Sequence, residues 1–99
     1  MAIIGSADST PLKLLDGVTA TGAGDWARLN RNKSIQVEGI TSATVKIQCT
    51  NDRGATPYDL LETTADGIWE GNLPYQYVRA NVTVYGSGTI SVFACTDDN

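Results

Sequence analysis

Apolar and polar residues alternate along most of this chain, which is the pattern of half-buried β-strands. The alternation is strongest in five segments: PLKLLD, SIQVEG, ATVKIQCT, QYVRANVTVY and GTISVFACT. Four weaker segments, GVTATG, DWARLN, YDLLET and GIWEG, are short and bounded by Gly, Asn or Asp. The pattern predicts about eight short strands and at most a turn or two of helix, because the two segments with helical character are under three turns long.

The spacing of these strands indicates the fold class. Strands that follow one another closely, without long crossovers, pair antiparallel. We therefore predict an all-β protein, an antiparallel β-sandwich with jelly-roll-like or Ig-like topology. Its 99 residues form one domain, which we assign to residues 12–96. Residues 1–11 are predicted to be a flexible N-terminal arm, and residues 97–99 an acidic tail.

The segment NVTVYGSGTISVFAC, residues 81–95, predicts a hairpin whose loop is Gly86, Ser87 and Gly88. This register places Val82, Val84, Ile90, Val92 and Ala94 on one apolar face. The other face carries Tyr77, Arg79, Tyr85 and Phe93. Tyrosine and arginine among small polar residues are typical of interface cores, so we expect a protein partner, or the chain's own arm, to cover this face. The alternative is that the aromatic rings pack only on each other across strands.

The N-terminal arm contains two adjacent aliphatic residues, Ile3 and Ile4, ahead of the stretch GSADSTP. A stretch rich in Gly, Ser and Asp has a low strand propensity, but it suits a segment that reaches a neighbouring molecule. We expect the arm to make such a contact. The alternative is a frayed terminus.

The residues available for chemistry are few. The chain contains no histidine and two cysteines, so it lacks the commonest general base and the commonest metal ligand. A zinc site is not expected from two isolated cysteines. Cys49 is predicted to face inward and Cys95 outward, without a disulfide between them. We therefore expect no enzymatic activity, no cofactor and no metal.

Charge and hydropathy restrict the partners. The net charge of -4 argues against binding nucleic acid, which requires several cations facing phosphates. No run approaches the ~20 apolar residues of a membrane span, and the first residues lack the features of a signal peptide. These patterns predict synthesis and folding in a cytoplasm. The aromatic residues Trp26, Trp69, Tyr75 and Tyr77 leave glycan binding as an alternative, although the strand around Trp69 favours core packing for that ring.

Residues 34–95 also resemble the small β-sandwich structural proteins of tailed bacteriophages. The similarity lies in the V-x-G strand end of SIQVEG, in ATVKIQ before a turn containing Asn51 and Asp52, and in the segments YVRANV and GTISV. Where these proteins more usually have Trp after the turn, this chain has Tyr58.

The resemblance implies a function but no catalytic residues. Such proteins are capsid decoration, or cement, proteins that bind the outer surface of a phage head and stabilise it. It implies that this chain is a structural virion protein, forms a homotrimer and has the major capsid protein as its partner. Two alternatives remain: a phage tail or head-fibre component, and a carbohydrate-binding β-sandwich module.

Overall fold

The computed structural model describes residues 12–29, 32–51, 56–72 and 77–96. These residues form seven strands, and no helix occurs among them. The strands are β1 (Leu12–Val18), β2 (Gly22–Ala23), β3 (Ala27–Arg28), β4 (Asn32–Thr50), β5 (Tyr58–Thr63), β6 (Gly67–Asn72) and β7 (Tyr77–Thr96).

Two long strands, β4 and β7, form the centre of one antiparallel sheet. They pair from Lys33 opposite Thr96 to Thr50 opposite Tyr77. Strands β1, β2 and β3 follow one another along the free edge of β7, whereas β5 and β6 do so along the free edge of β4. The predicted all-β antiparallel class is therefore confirmed, but the expected short strands on either side of residues 40 and 87 are joined into single strands of 19 and 20 residues.

Both long strands change register between Glu38 and Val45 of β4. If β4 and β7 are each divided at this point, and β2 and β3 are counted as one segment, the chain has eight segments in order. The first pairs with the eighth, the second with the seventh, the third with the sixth and the fourth with the fifth. This nested order is the pairing of a long hairpin rolled up on itself.

The core lies between the two halves of the folded sheet. Ile47, Val78, Ile90 and Val92 have no exposed surface, although one flat sheet without helices would leave both of its faces open. The inner faces of the two halves must therefore pack against each other, and the shortest dimension of 18 Å accommodates two layers about 10 Å apart. The buried apolar residues are Leu14, Leu15, Leu29, Ile35, Val37, Ala43, Val45, Ile47, Cys49, Val78, Ala80, Val82, Ile90, Val92 and Ala94.

The predicted hairpin of residues 81–95 is wrong, because residues 86–88 bend strand β7 without reversing it. Val82 and Val92 pair with Val45 and Val37 of β4 instead of with each other. Most of the predicted inner face is nevertheless buried. Val84 is the exception, with 59% of its surface exposed.

A β-bulge explains the exposure of Val84. Val45 lies opposite Val82, but Thr44 lies opposite Val84, so one extra residue of β7 intervenes. An extra residue reverses the alternation of faces. Beyond it Tyr85 lies opposite the buried Ala43 and packs against the core, while Val84 points outward.

The bend itself is held by backbone geometry and by one carboxylate. Gly39 and Gly88 both have positive φ, at 87° and 121°. The Asp66 carboxylate accepts hydrogen bonds from the backbone N–H groups of Gly39 and Ile40, at 3.2 and 2.9 Å. The connection between β5 and β6 is thereby attached to the bend of β4.

Candidate functional site

The side chains predicted to form one partner-binding face do not lie together. Arg79 is opposite Gln48 and Phe93 is opposite Gln36, near the two ends of β4. Because the sheet folds between these positions, its outer faces point in opposite directions. Arg79 and Phe93 therefore do not share a patch. The remaining predicted contacts, Ile3 and Ile4, lie outside the described residues.

The outer face around Arg79 is occupied by the protein's own side chains. The guanidinium group of Arg79 lies 4.5 Å from the centroid of the Trp26 ring, a cation–π contact. Its Nε donates a hydrogen bond to Oε1 of Gln48 at 2.8 Å. These contacts join β7 to β4 and to the segment before β3, so Arg79 stabilises the fold.

The same chain of contacts continues to β5 through Asp59. Nε2 of Gln48 donates to Oδ1 of Asp59, and Nζ of Lys46 donates to Oδ2, both at 2.9 Å. These two hydrogen bonds and the Lys46 charge lower the pKa of Asp59 below its ordinary value. The pKa of Lys46 is raised, chiefly by its hydrogen bond to Asp59. The cluster of Trp26, Arg79, Gln48, Asp59 and Lys46 is thus a structural brace across four segments of the chain.

The brace predicts a pH dependence of stability. Because the pKa of Asp59 is lower in the folded state, its contribution is present above the ordinary pKa of aspartate and is lost as the pH falls through the folded value. Asp59→Asn should therefore destabilise the protein at pH 7 and cost less at a pH below the ordinary pKa of aspartate. Urea unfolding at both pH values measures the difference. Glu62→Gln, on the same strand, is the control, and an equal loss from Asp59→Asn at both pH values would contradict the assignment.

Tyr85 and Tyr77 also make intramolecular contacts. The Tyr85 hydroxyl donates a 2.6 Å hydrogen bond to the carbonyl oxygen of Gly88, across the bend of β7. Tyr77 is half-buried where β7 begins, between Arg28 of β3 and Thr50 of β4. Tyr85 therefore supports the bend of its own strand, rather than standing on the surface as the sequence predicted.

Phe93 lies in a different environment, a groove on the outer face of the β1–β7–β4–β6 layer. The groove has a volume of about 440 Å³. Strand alternation turns Phe93 and Cys95 outward from β7, beside Ser34 and Gln36 of β4. Lys13 of β1 and Ile68 of β6 complete the two sides. The lining residues are Lys13, Ser34, Gln36, Ile68, Phe93, Ala94 and Cys95.

The groove combines apolar and polar side chains. Phe93 and Ile68 supply apolar contact area, and Lys13, Ser34 and Gln36 supply polar groups around it. Ile68 is 67% exposed and lies in the same groove as Phe93. The groove has room for an apolar side chain and places hydrogen-bonding groups around it.

Sequence reasoning found Phe93 but missed Ile68. The signal was present in GIWEG, because neighbouring residues of a strand face opposite sides. Trp69 packs against the core, as predicted, and Ile68 must then face outward. The glycan alternative loses support at Trp26, because the Arg79 guanidinium already covers one face of that ring.

A second hollow, of about 480 Å³, lies beside Cys49 near the ends of β4 and β5. Burial raises the pKa of the Cys49 thiol, which the nearby charge of Lys33 opposes and that of Asp59 reinforces. The thiol is therefore protonated at neutral pH and is a poor nucleophile. No disulfide joins Cys49 to Cys95, and the two face opposite sides, as predicted.

Within the described ranges, no group of three or more Cys, Asp or Glu residues is placed to hold a metal ion. In the same part of the chain, no helix is long and apolar enough to cross a membrane.

Comparison with known proteins gives no relative. No protein-family model matches the chain, and no curated protein or solved structure is significantly similar to it.

Proposed function

We propose that this chain is a non-enzymatic structural protein of a virion, a capsid decoration protein that binds the outer surface of a phage head as a homotrimer. The observation that carries the proposal is the groove around Phe93 and Ile68, an apolar surface outside the core. The resemblance of residues 34–95 to phage structural proteins supplies the class of partner. The major capsid protein is accordingly the proposed ligand of the groove.

The charged side chains described above support a structural role rather than a catalytic one. Asp59, Lys46 and Arg79 form the brace, and Asp66 holds the bend. Each of these groups is occupied in joining one strand or connection to another. These contacts account for all four charged groups without a catalytic role.

The energetics of the groove favour apolar anchoring over ion pairing. Full burial of a large apolar side chain contributes about 1.5–3 kcal/mol, whereas an exposed ion pair contributes less than about 1 kcal/mol. Burial of Phe93 and Ile68 together would therefore exceed the contribution of Lys13 at the edge. Binding should depend on these two side chains and change little with salt concentration.

The test is rebinding to capsids from which the protein has been stripped. We expect saturable binding that Phe93→Ser weakens at least tenfold, since loss of about 1.4 kcal/mol corresponds to that factor. Val84→Ser is the matched control, because it removes an exposed apolar side chain at the bend, away from the groove. Far-UV circular dichroism checks that both variants fold.

Two outcomes would contradict the proposal. Equal weakening by Phe93→Ser and Val84→Ser would show that the groove is not the contact. Absence of capsid binding, together with saturable binding to cell-surface glycans, would favour the carbohydrate-binding alternative.

A further inference from the structure

We propose that the outer edge of β6 binds an extended segment of a partner protein as an added β-strand, and that one apolar side chain of this segment inserts between the two layers of the sheet. The inference goes beyond the proposed function, because it concerns a strand edge and a hollow between the layers rather than the groove around Phe93. Its test requires no capsid, so the two proposals fail separately.

The first support is the regular backbone of β6. This strand pairs with β4 through six consecutive residues, from Asn32 opposite Asn72 to Val37 opposite Gly67, without a register shift. In the part of the chain that the structure describes, no strand pairs with its other side. Every second residue of an antiparallel edge strand directs both its N–H and its C=O away from the sheet. Such a row of groups is the template on which another chain adds a strand.

The second support is that the other sheet edges carry features that oppose strand addition. Strand β1 has register shifts on both sides of Leu15 and carries the exposed Lys13. Strands β2 and β3 have two residues each, and an extra residue, Leu60, interrupts the ladder of β5 with β4. Bulges, short strands and lysines protect an edge from further pairing. The segment GIWEGN of β6 has no such protection, because its ladder is regular and it contains no lysine, arginine or proline.

The third support is a hollow of about 210 Å³ beside this edge. Its walls include Lys33 and Ile35 of β4, Leu60 and Leu61 of β5, and Trp69 of β6. Because β5 and β6 are the edges of different layers, the hollow lies between the layers. An apolar cavity of about 150 Å³ holds a benzene molecule, so this hollow has room for one large apolar side chain. In strand addition, hydrogen bonds of the backbone provide affinity and pockets for alternate side chains provide specificity.

The alternation of β6 defines the chemistry of the partner segment. Ile68 and Glu70 are exposed on the outer face, whereas Trp69 packs against the core and Gly71 lies opposite the buried Lys33. Gly71 also lines the hollow, without a side chain to fill it.

Residues directly opposite each other in an antiparallel pair share a face. The added strand therefore needs an apolar residue opposite Gly71, a basic residue opposite Glu70 and an apolar residue opposite Ile68. In chain order the segment is apolar, basic, any residue, apolar. The net charge of -4 also favours a basic partner segment.

The test uses a synthetic peptide of sequence STLKTVTS, acetylated, amidated and labelled with fluorescein. Its Leu, Lys and Val are placed to lie opposite Gly71, Glu70 and Ile68. Titration of the full chain into the peptide, followed by fluorescence anisotropy, should show saturable binding. Two N-methylated forms test the backbone pairing, one methylated at the third and fifth residues and the other at the fourth and sixth. Because alternate N–H groups of a strand point to opposite sides, one form should lose binding and the other should keep it.

A charge reversal tests the register. Glu70→Lys should weaken binding of STLKTVTS severalfold and strengthen binding of STLETVTS by a similar factor, since opposite charges directly across a strand pair attract and like charges repel. Glu62→Lys is the matched control, because it makes the same change at an exposed position of β5 and should leave both affinities nearly unchanged. Far-UV circular dichroism checks that both variants fold.

Four results would overturn the proposal. These are absence of saturable binding by STLKTVTS, an equal response to the two N-methylated forms, and equal effects of Glu70→Lys and Glu62→Lys, which would indicate only general charge attraction. The fourth is self-association of the protein alone that Ile68→Lys abolishes in sedimentation velocity. That result would show that a second copy occupies the edge, because a lysine there opposes pairing of two edges.

Discussion

Gly39→Ala is expected to lower the free energy of unfolding by more than about 3 kcal/mol, which is a large fraction of the total stability of a domain of this size. Gly39 has a φ of 87°, a conformation that L side chains rarely adopt. A Cβ at this position would also overlap the carbonyl oxygen of Thr89 on the neighbouring strand. Backbone strain and steric overlap therefore add at the point where β4 bends. Urea unfolding monitored by tryptophan fluorescence measures the loss.

Two other glycines separate these effects. Gly22 has a φ of 146°, but a Cβ there would meet nothing within 4 Å, so Gly22→Ala should cost only the backbone strain, about 1–3 kcal/mol. Gly24 has no positive φ, but its Cβ would overlap the carbonyl oxygen of Leu14. Gly24→Ala should therefore report steric overlap alone. A loss for Gly39→Ala no larger than that for Gly22→Ala would contradict the close approach of β4 and β7 at the bend.

Ile47→Ala is expected to destabilise the protein by about 2–5 kcal/mol, the range for truncation of a fully buried aliphatic side chain. Ile47 has no exposed surface and lies opposite Ala80 at the centre of the sheet. It is enclosed only because the other half of the sheet covers it. Truncation therefore removes apolar burial and leaves a cavity between the two layers.

The matched control for Ile47→Ala is Ile68→Ala, the same chemical change at a residue that is 67% exposed. Its cost should be less than about 1 kcal/mol in urea unfolding, because little burial is lost. Equal losses for the two variants would mean that the halves of the sheet do not pack on each other. The pair therefore tests both the two-layer core and the outward position of Ile68.

The bend also explains how so small a domain keeps an open groove on one outer face. A domain of 99 residues buries only about two thirds of the surface of its unfolded chain. Here the inner faces of β4 and β7 pack into one shared core. One outer face is closed by the brace around Arg79, and the other keeps the groove around Phe93.

Local pattern was sufficient to predict strands and most inward-facing residues. YDLLET was predicted as a strand and forms β5 at Tyr58–Thr63. Val82, Ile90 and Val92 were predicted to face inward and are buried. These predictions succeed because the side chains of a strand point alternately to its two faces. The spacing of apolar residues along the sequence therefore shows which face is buried.

Tertiary structure alone decided how those strands pair. Gly86, Ser87 and Gly88 suit a hairpin loop and a bend equally, and the choice depends on β4, which provides a longer ladder and its own glycine at the bend. The bulge that exchanges the faces of Val84 and Tyr85 has no signature in the sequence. The contact of Arg79 with Trp26 likewise joins residues far apart in the chain. Periodicity shows which residues face a core, but only the pairing of distant strands determines which outer surface each remaining side chain occupies.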